Sequence, residues 1–344
     1  MRPITTTLLL AAALLIGCAG DETEFRQSFP ALGTLVTIEI RGADRRQADA
    51  ALAALQVDME RVGHEWYAWG SGELGHLNTL LAQGKSARVS PELATLIQRA
   101  LELSEASDGF FDPTVGLLVE KWGFHDANAP PGAPPDEAWL AGWRATGEMR
   151  GRIRIVDQIV ATPSAVKLAL GGIAKGSTLA RAIRILRDHG IENALVDAGG
   201  DLQIIGMKEG RGWRIGIRDP RSRGVVGIVE LKSGEAILSS GDYERFVERD
   251  GRRAHHLLDP HTGLPVEHTM AVTVIDTDAE LADAAATALM AGGPDRFEAL
   301  TDQLGVRVAL LITSDGSIVS TPAMAERLQS IEHNSTMDSA AAKM

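Results

Sequence analysis

The sequence predicts an α+β fold in which mostly antiparallel sheets carry packed helices. Short β-type runs dominate from Ile153 onward, and their spacing is too uneven for a regular array of parallel βαβ units. Two stretches among them, 175–189 and 279–291, carry helical periodicity instead. The chain has 344 residues, 44% of them hydrophobic, which is ample for a real core.

In chain order, Thr34 to Ile40 alternates as a strand. Asp44 to Val62 places Ala48, Leu52, Leu55 and Met59 at helical spacing. Ser90-Pro91-Glu92 is a helix start, a capping hydroxyl followed by a proline and an acid, for a helix running to about Ser107, where Asp108-Gly109 ends it. A Pro-rich link at 129–135 precedes a short helix over 136–145. The β-type runs are 153–160, 164–170, 194–198, 202–207, 213–218, 225–231 and 271–276. The domain they build is expected over 29–325, between a polar tether at 19–28 and a disordered tail at 326–344.

Residues 1–18 form a secretory signal: Arg2 precedes an apolar run from Leu8 to Ile16 that is too short to span a bilayer. Cys18, the only cysteine, follows Leu15-Ile16-Gly17 as in the lipobox of bacterial lipoproteins, where the thiol is acylated. The implied location is the periplasmic side of a bacterial membrane, anchored by lipid. Disulfides within the chain are excluded by that single thiol. The net charge of −12 excludes a nucleic-acid surface, which needs clustered Lys and Arg.

Three segments carry chemistry. Leu168 to Ser177 joins a strand pattern to a helix pattern through Gly171-Gly172 and Gly176, so that backbone amides and a helix N-terminus can meet a phosphate. Its Lys175 precedes Gly176, which is not P-loop order. Asp283 and Thr287, four apart on one helix face, offer the hard oxygens that magnesium takes beside substrate phosphates. Residues 239–265 are too polar for a core wall and contain His255-His256 in strand register, side chains facing opposite ways. The same stretch also reads as a hydrated hairpin turning at Asp250-Gly251. A second glycine turn, Gly199-Gly200, brings Asp201 to a tight backbone.

The residues together resemble the flavin transferases of the ApbE type, from about Phe29 to Thr321. Ala31-Leu32-Gly33-Thr34 is similar to the family's opening motif, and Gly72-Glu73-Leu74 with Leu77-Asn78 to its Ser-Glu-Leu block. Ser107 to Gly116, with Asp112-Pro113-Thr114-Val115, resembles the Asp-Pro-Thr-Val block; Leu170 to Gly176 resembles Leu-Gly-Gly-Ile-Ala-Lys-Gly. Ser240-Gly241-Asp242-Tyr243, His256-Leu257-Leu258-Asp259-Pro260 with Thr262-Gly263, and Ala282-Asp283 with Ala286-Thr287-Ala288 complete the likeness. Leu32, Gly72 and Ala169 depart from it, standing where the family has Met, Ser and Asp.

The resemblance implies Mg²⁺ on Asp283, Thr287 and the Gly172 carbonyl. It implies flavin nucleotide contacts from Phe110, Phe111, Asp112, Lys175, Asp259 and Thr262, and from one aromatic among Trp66, Tyr67 and Trp69. The implied substrate is FAD, whose FMN half moves to a Thr or Ser of acceptor flavoprotein subunits in membrane redox complexes, with AMP leaving. His256 is the candidate base. Two other readings fit the same residues: an FAD diphosphatase with water as nucleophile, and a flavin-binding lipoprotein without catalysis.

Overall fold

The computed structural model describes residues 24–31, 33–125, 134–147, 153–244, 246–249 and 252–329. Its centre is a mixed-length antiparallel sheet. The strands are β1 (Glu24–Ala31), β2 (Thr34–Arg41), β6 (Asn193–Ala198), β7 (Asp201–Ile205), β10 (Ala236–Gly241), β13 (Thr269–Asp276), β14 (Val308–Thr313) and β15 (Ile318–Ser320), in that spatial order. Every pairing along this sheet is antiparallel.

The inner strands are buried on both faces, and strand alternation sorts their side chains into two cores. Val272 and Val274 of β13 and Ala309 and Leu311 of β14 point to one core; Ile275, Leu310 and Ile312 point to the other. The first core packs under α1 (Arg45–Glu65), α3 (Pro91–Ala106), α6 (Gly171–Asp188) and α7 (Ala279–Leu304). The second is closed by the hairpin β8 (Trp213–Arg218) with β9 (Val225–Leu231), and by α8 (Pro322–Arg327). Covering both faces explains why β13 reads as a nearly continuous apolar run and why all five residues of β7 are buried, Asp201 and Gln203 included.

A third, smaller core is aromatic. α4 (Gly116–Trp122) and α5 (Glu137–Ala145) bring Leu118, Trp122 and Trp143 against Leu258. The indole of Trp122 donates to the Gly263 carbonyl and that of Trp143 to the Pro260 carbonyl, both at 2.9 Å, which fixes the 259–263 turn. Gly263 has φ +74° there, and a Cβ on it would stand 2.9 Å from Leu140 Cδ2.

The sequence boundaries need correcting at several places. Residues 24–28, expected in the tether over 19–28, lie in β1, where all eight residues pair with β2. Residues 326–329, expected in the tail, are part of the fold: α8 runs to Arg327 and Gln329 exchanges main-chain bonds with Ile228. The 153–160 run is a hairpin, β4 (Arg154–Val156) and β5 (Ile159–Ala161), with Asp157 and Gln158 at positive φ. The 164–170 run forms no strand and makes an isolated bridge from Lys167 to Val115. The helix expected from 175 begins at Gly171: the Leu170 carbonyl accepts the amides of Ile173 and Ala174, and the two glycines enter the first turn. Cys18, Leu32, most of the Pro-rich link and the Asp250-Gly251 turn lie outside the described residues. Among the described residues no helix is long and apolar enough to cross a membrane.

Candidate functional site

The site forms where the start of α6 meets the first turns of α7. Asp283 is buried, and its Oδ2 accepts the Gly176 amide hydrogen at 2.8 Å. Regular helix geometry assigns that amide to the Gly172 carbonyl, so Asp283 competes with Gly172 for it. Gly172 itself leaves helical geometry, with φ −90° and ψ 15°. One turn along α7, Thr287 Oγ1 stands 2.8 Å from where a Cβ on Gly172 would be, and Phe111 Cε2 stands 3.2 Å from it. A side chain at 172 has no room, so the backbone is the chemical surface there. Asp283, Thr287, Gly172 and Phe111 thus adjoin one another.

Sheet residues line the other side. Lys175 forms an ion pair with the buried Asp201, whose second oxygen takes the Ser239 amide hydrogen at 2.7 Å. Ser240 Oγ lies 3.5 Å from Thr287 Oγ1. Burial alone would lower the Lys175 ammonium, but Asp201, Asp283 and Glu244 outweigh it and hold it above its ordinary value. Burial pushes the Asp283 carboxyl up to about 7; Lys175 opposes the rise, while Asp201 and Glu244 reinforce it. Lys175 is paired with Asp201, so the Asp283 carboxyl keeps its proton to higher pH unless further positive charge arrives.

A divalent cation would supply that charge, and the donor set suits one. Among the described residues no three His, Cys, Asp or Glu side chains cluster as a metal site. What converges instead is one carboxylate, one hydroxyl and a crowded glycine backbone, hard oxygens of the kind Mg²⁺ takes while substrate and water complete its shell.

The block 107–116 leads into this place. Ser107 Oγ accepts the Phe111 amide at 3.1 Å, and Asp112 Oδ1 accepts the amide and hydroxyl of Thr114 at 2.8 and 2.6 Å. Ala169 donates its amide to Pro113 and Gly116 donates to Lys167, which bolts the block to the segment entering α6. At position 169, then, the brace is main chain. Asn78 completes it: buried at the end of α2 (Glu73–Leu81), it donates to the carbonyls of Ala68 and Leu168 and accepts the Leu168 amide at 2.7 Å.

A second group sits on the 259–263 turn. Asp259 accepts the Thr262 hydroxyl at 2.9 Å and the His261 amide at 2.9 Å. Burial opposes its ionisation, but those bonds and the His261 ring hold the carboxyl below its usual range. The His261 ring packs on Phe110 with centroids 4.5 Å apart, and Arg296 lies over the same Phe110 ring at 5.5 Å. Phe110 and Phe111, neighbours in sequence, link this group to the Gly172 group.

His255 and His256 differ in burial. His255 is buried at the end of β12 (Arg252–His255), its Nε2 2.6 Å from the Val266 carbonyl; His256 follows the strand and is partly buried. Of the three aromatics, Trp66 is buried with Arg181 over it, Tyr67 is exposed, and Trp69 lies against Tyr67 and His125. Asp201, Asn78 and His261 were not singled out as site residues by sequence. Asp201 carried a signal in its place after Gly199-Gly200, and Asn78 in the Leu77-Asn78 pair of the family likeness; His261 carried none.

The sequence matches the ApbE family over residues 32–311. It is 40% identical over 333 residues to an FAD:protein FMN transferase of Rhodobacter capsulatus; the match covers 95% of this chain and 64% of that protein. With an FAD:protein FMN transferase of Vibrio cholerae serotype O1 it shares 31% over 314 residues, 89% of this chain and 93% of that one. Among solved structures, the ApbE protein of Thermotoga maritima is similar with a TM-score of 0.79 and 32% identity, covering 89% of this chain and 99% of that chain. The flavinyl transferase ApbE of Pseudomonas stutzeri, in its apo form, gives 0.77 and 28%, covering 90% and 98%. On the residues of its site and on these likenesses, the chain belongs to the ApbE family.

Proposed function

We propose that the chain transfers FMN from FAD to a threonine or serine hydroxyl of an acceptor flavoprotein and releases AMP. The observation that carries this reading is the meeting of Gly172, Gly176, Asp283 and Thr287 at a helix start beside Lys175. A dinucleotide needs such a place, because its pyrophosphate presents two adjacent negative charges that repel a hydroxyl nucleophile.

Asp283, Thr287 and the Gly172 carbonyl would hold Mg²⁺, which when bound withdraws charge from the pyrophosphate. Lys175, kept protonated by the acids around it, adds a fixed positive charge, and the start of α6 adds its dipole. Phe110, Phe111, Asp112, Asp259 and Thr262 bind the flavin nucleotide and exclude water from the reacting phosphorus. His256 takes the proton of the attacking hydroxyl. The new bond joins that oxygen to the FMN phosphorus, the bridging P–O bond breaks, and AMP leaves with the bridging oxygen.

The same reading places the protein on the periplasmic side of a bacterial membrane, acylated at Cys18, with acceptor subunits of membrane redox complexes as partners. The test is to incubate the protein with FAD, Mg²⁺ and a threonine-bearing acceptor peptide and to weigh the peptide. Peptide carrying FMN, matched by AMP, supports the transferase; free FMN with AMP and an unchanged peptide makes the protein an FAD diphosphatase; FAD binding without AMP makes it a flavin carrier.

A further inference from the structure

His261 lies between the two turns that carry the nucleotide contacts. Its Nδ1 is 3.3 Å from Asp259 Oδ1, and its Nε2 is 3.0 Å from the Asp108 carbonyl oxygen. Both neighbours are acceptors, and neither can donate. A neutral imidazole has one N–H and one lone pair, so it satisfies only one of them; the imidazolium satisfies both. We propose that His261 is a positioning residue, whose imidazolium fastens the 259–263 turn to the 107–112 turn and holds Asp259 and Phe110 in place for the nucleotide.

The surroundings favour the charged form. Asp259 faces the ring from its own turn, and Asp112 acts on it from the other. Arg296, over the Phe110 ring, bonds the Asp108 carboxylate at 3.1 Å while Gln303 holds the same oxygen at 3.0 Å, so its charge is already matched. The hydrogen bond to Asp259 accordingly holds the imidazole above its ordinary value. The sign follows: the clasp is complete below the ordinary imidazole range and is lost as pH rises through the raised value. Its partners are braced from behind, since Trp122, Trp143 and Arg144 bond the carbonyls of Gly263, Pro260 and Thr262.

That the ligand is FAD rests on the transferase reading; the clasp does not. Two measurements on the full chain separate them. In the first, FAD affinity is followed by flavin fluorescence from about pH 6 to about pH 9 for wild type, His261→Phe and His261→Arg. Arginine keeps a permanent, planar donor. His261→Phe should bind FAD about three- to tenfold more weakly than wild type at the acid end, with a smaller deficit at the alkaline end where the neutral imidazole keeps one bond, and with His261→Arg gaining on wild type as pH rises. A ratio between variants and wild type that stays constant with pH overturns the proposal, and the Arg comparison alone decides if the Phe variant does not fold. In the second, the His261 ring is titrated by NMR without any nucleotide. Its pKa should lie above the ordinary imidazole value and fall back in Asp259→Asn; no change in that variant overturns the clasp whether or not FAD is the substrate.

Discussion

Asp283 Oδ2 accepts the Gly176 amide hydrogen at 2.8 Å across 107 residues of chain, which makes the start of α6 and the first turns of α7 one unit. The contact is close because neither side carries bulk. A Cβ on Gly176 would stand 2.1 Å from the Ala279 carbonyl oxygen and 3.0 Å from Asp283 Cβ. The short side chains of Ala279 and Ala282 let the helices approach, and that approach delivers Thr287 to Gly172.

Gly172→Ala should therefore lower both stability and activity. The added methyl meets Thr287 Oγ1 at 2.8 Å, an overpacking that costs about 1–3 kcal/mol. Gly172→Ala combined with Thr287→Ala should recover much of the stability, read by thermal denaturation, while FMN transfer stays low because an oxygen donor is gone.

The raised Asp283 carboxyl gives a pH dependence of definite sign. Folded protein binds this proton more tightly than the unfolded chain does, so metal-free protein loses stability from this group as pH rises through about 7. A divalent cation needs the carboxylate form. Melting curves with Mg²⁺ and with EDTA should diverge more at alkaline than at acid pH, with the apparent Mg²⁺ affinity falling by up to about tenfold for each unit below 7.

Asn78→Ala removes both donations and the acceptance that tie Ala68 and Leu168 together. It leaves a buried amide and carbonyl of Leu168 without that partner, at about 1–3 kcal/mol each. The melting temperature should drop by several degrees, and residual folded protein should bind FAD less tightly because the segment entering α6 is loosened.

Cys18→Ser should release the protein from the membrane fraction of cells that express the full precursor. Retention on the membrane after this change would remove the lipid anchor from the account.

Much of this was legible in sequence, and the limits were physical. Asp283 with Thr287 could be placed on one face because helix spacing is rigid, and β8, β9, α3 and α5 fell close to their predicted spans. β1 was read as a tether because Glu24, Arg26, Gln27 and Ser28 are polar; it is an edge strand whose partner, β2, supplies the order. Residues 164–170 look like a strand by composition, yet their amide partners come from Asn78 and Pro113 rather than from a ladder. His261 carries no local signal, and Asn78 only its place in the Leu77-Asn78 pair, since each acts by joining segments about 150 and 90 residues away.

The most direct test compares wild type with Asp283→Asn, a change that keeps the shape and removes the charge, in the FAD and acceptor-peptide reaction across a range of Mg²⁺ concentrations. The account predicts that wild type saturates with Mg²⁺ and yields FMN-peptide and AMP together, while the variant is about 10²–10³-fold slower at every concentration. A variant that reaches the wild-type rate at the same Mg²⁺ concentration would contradict it.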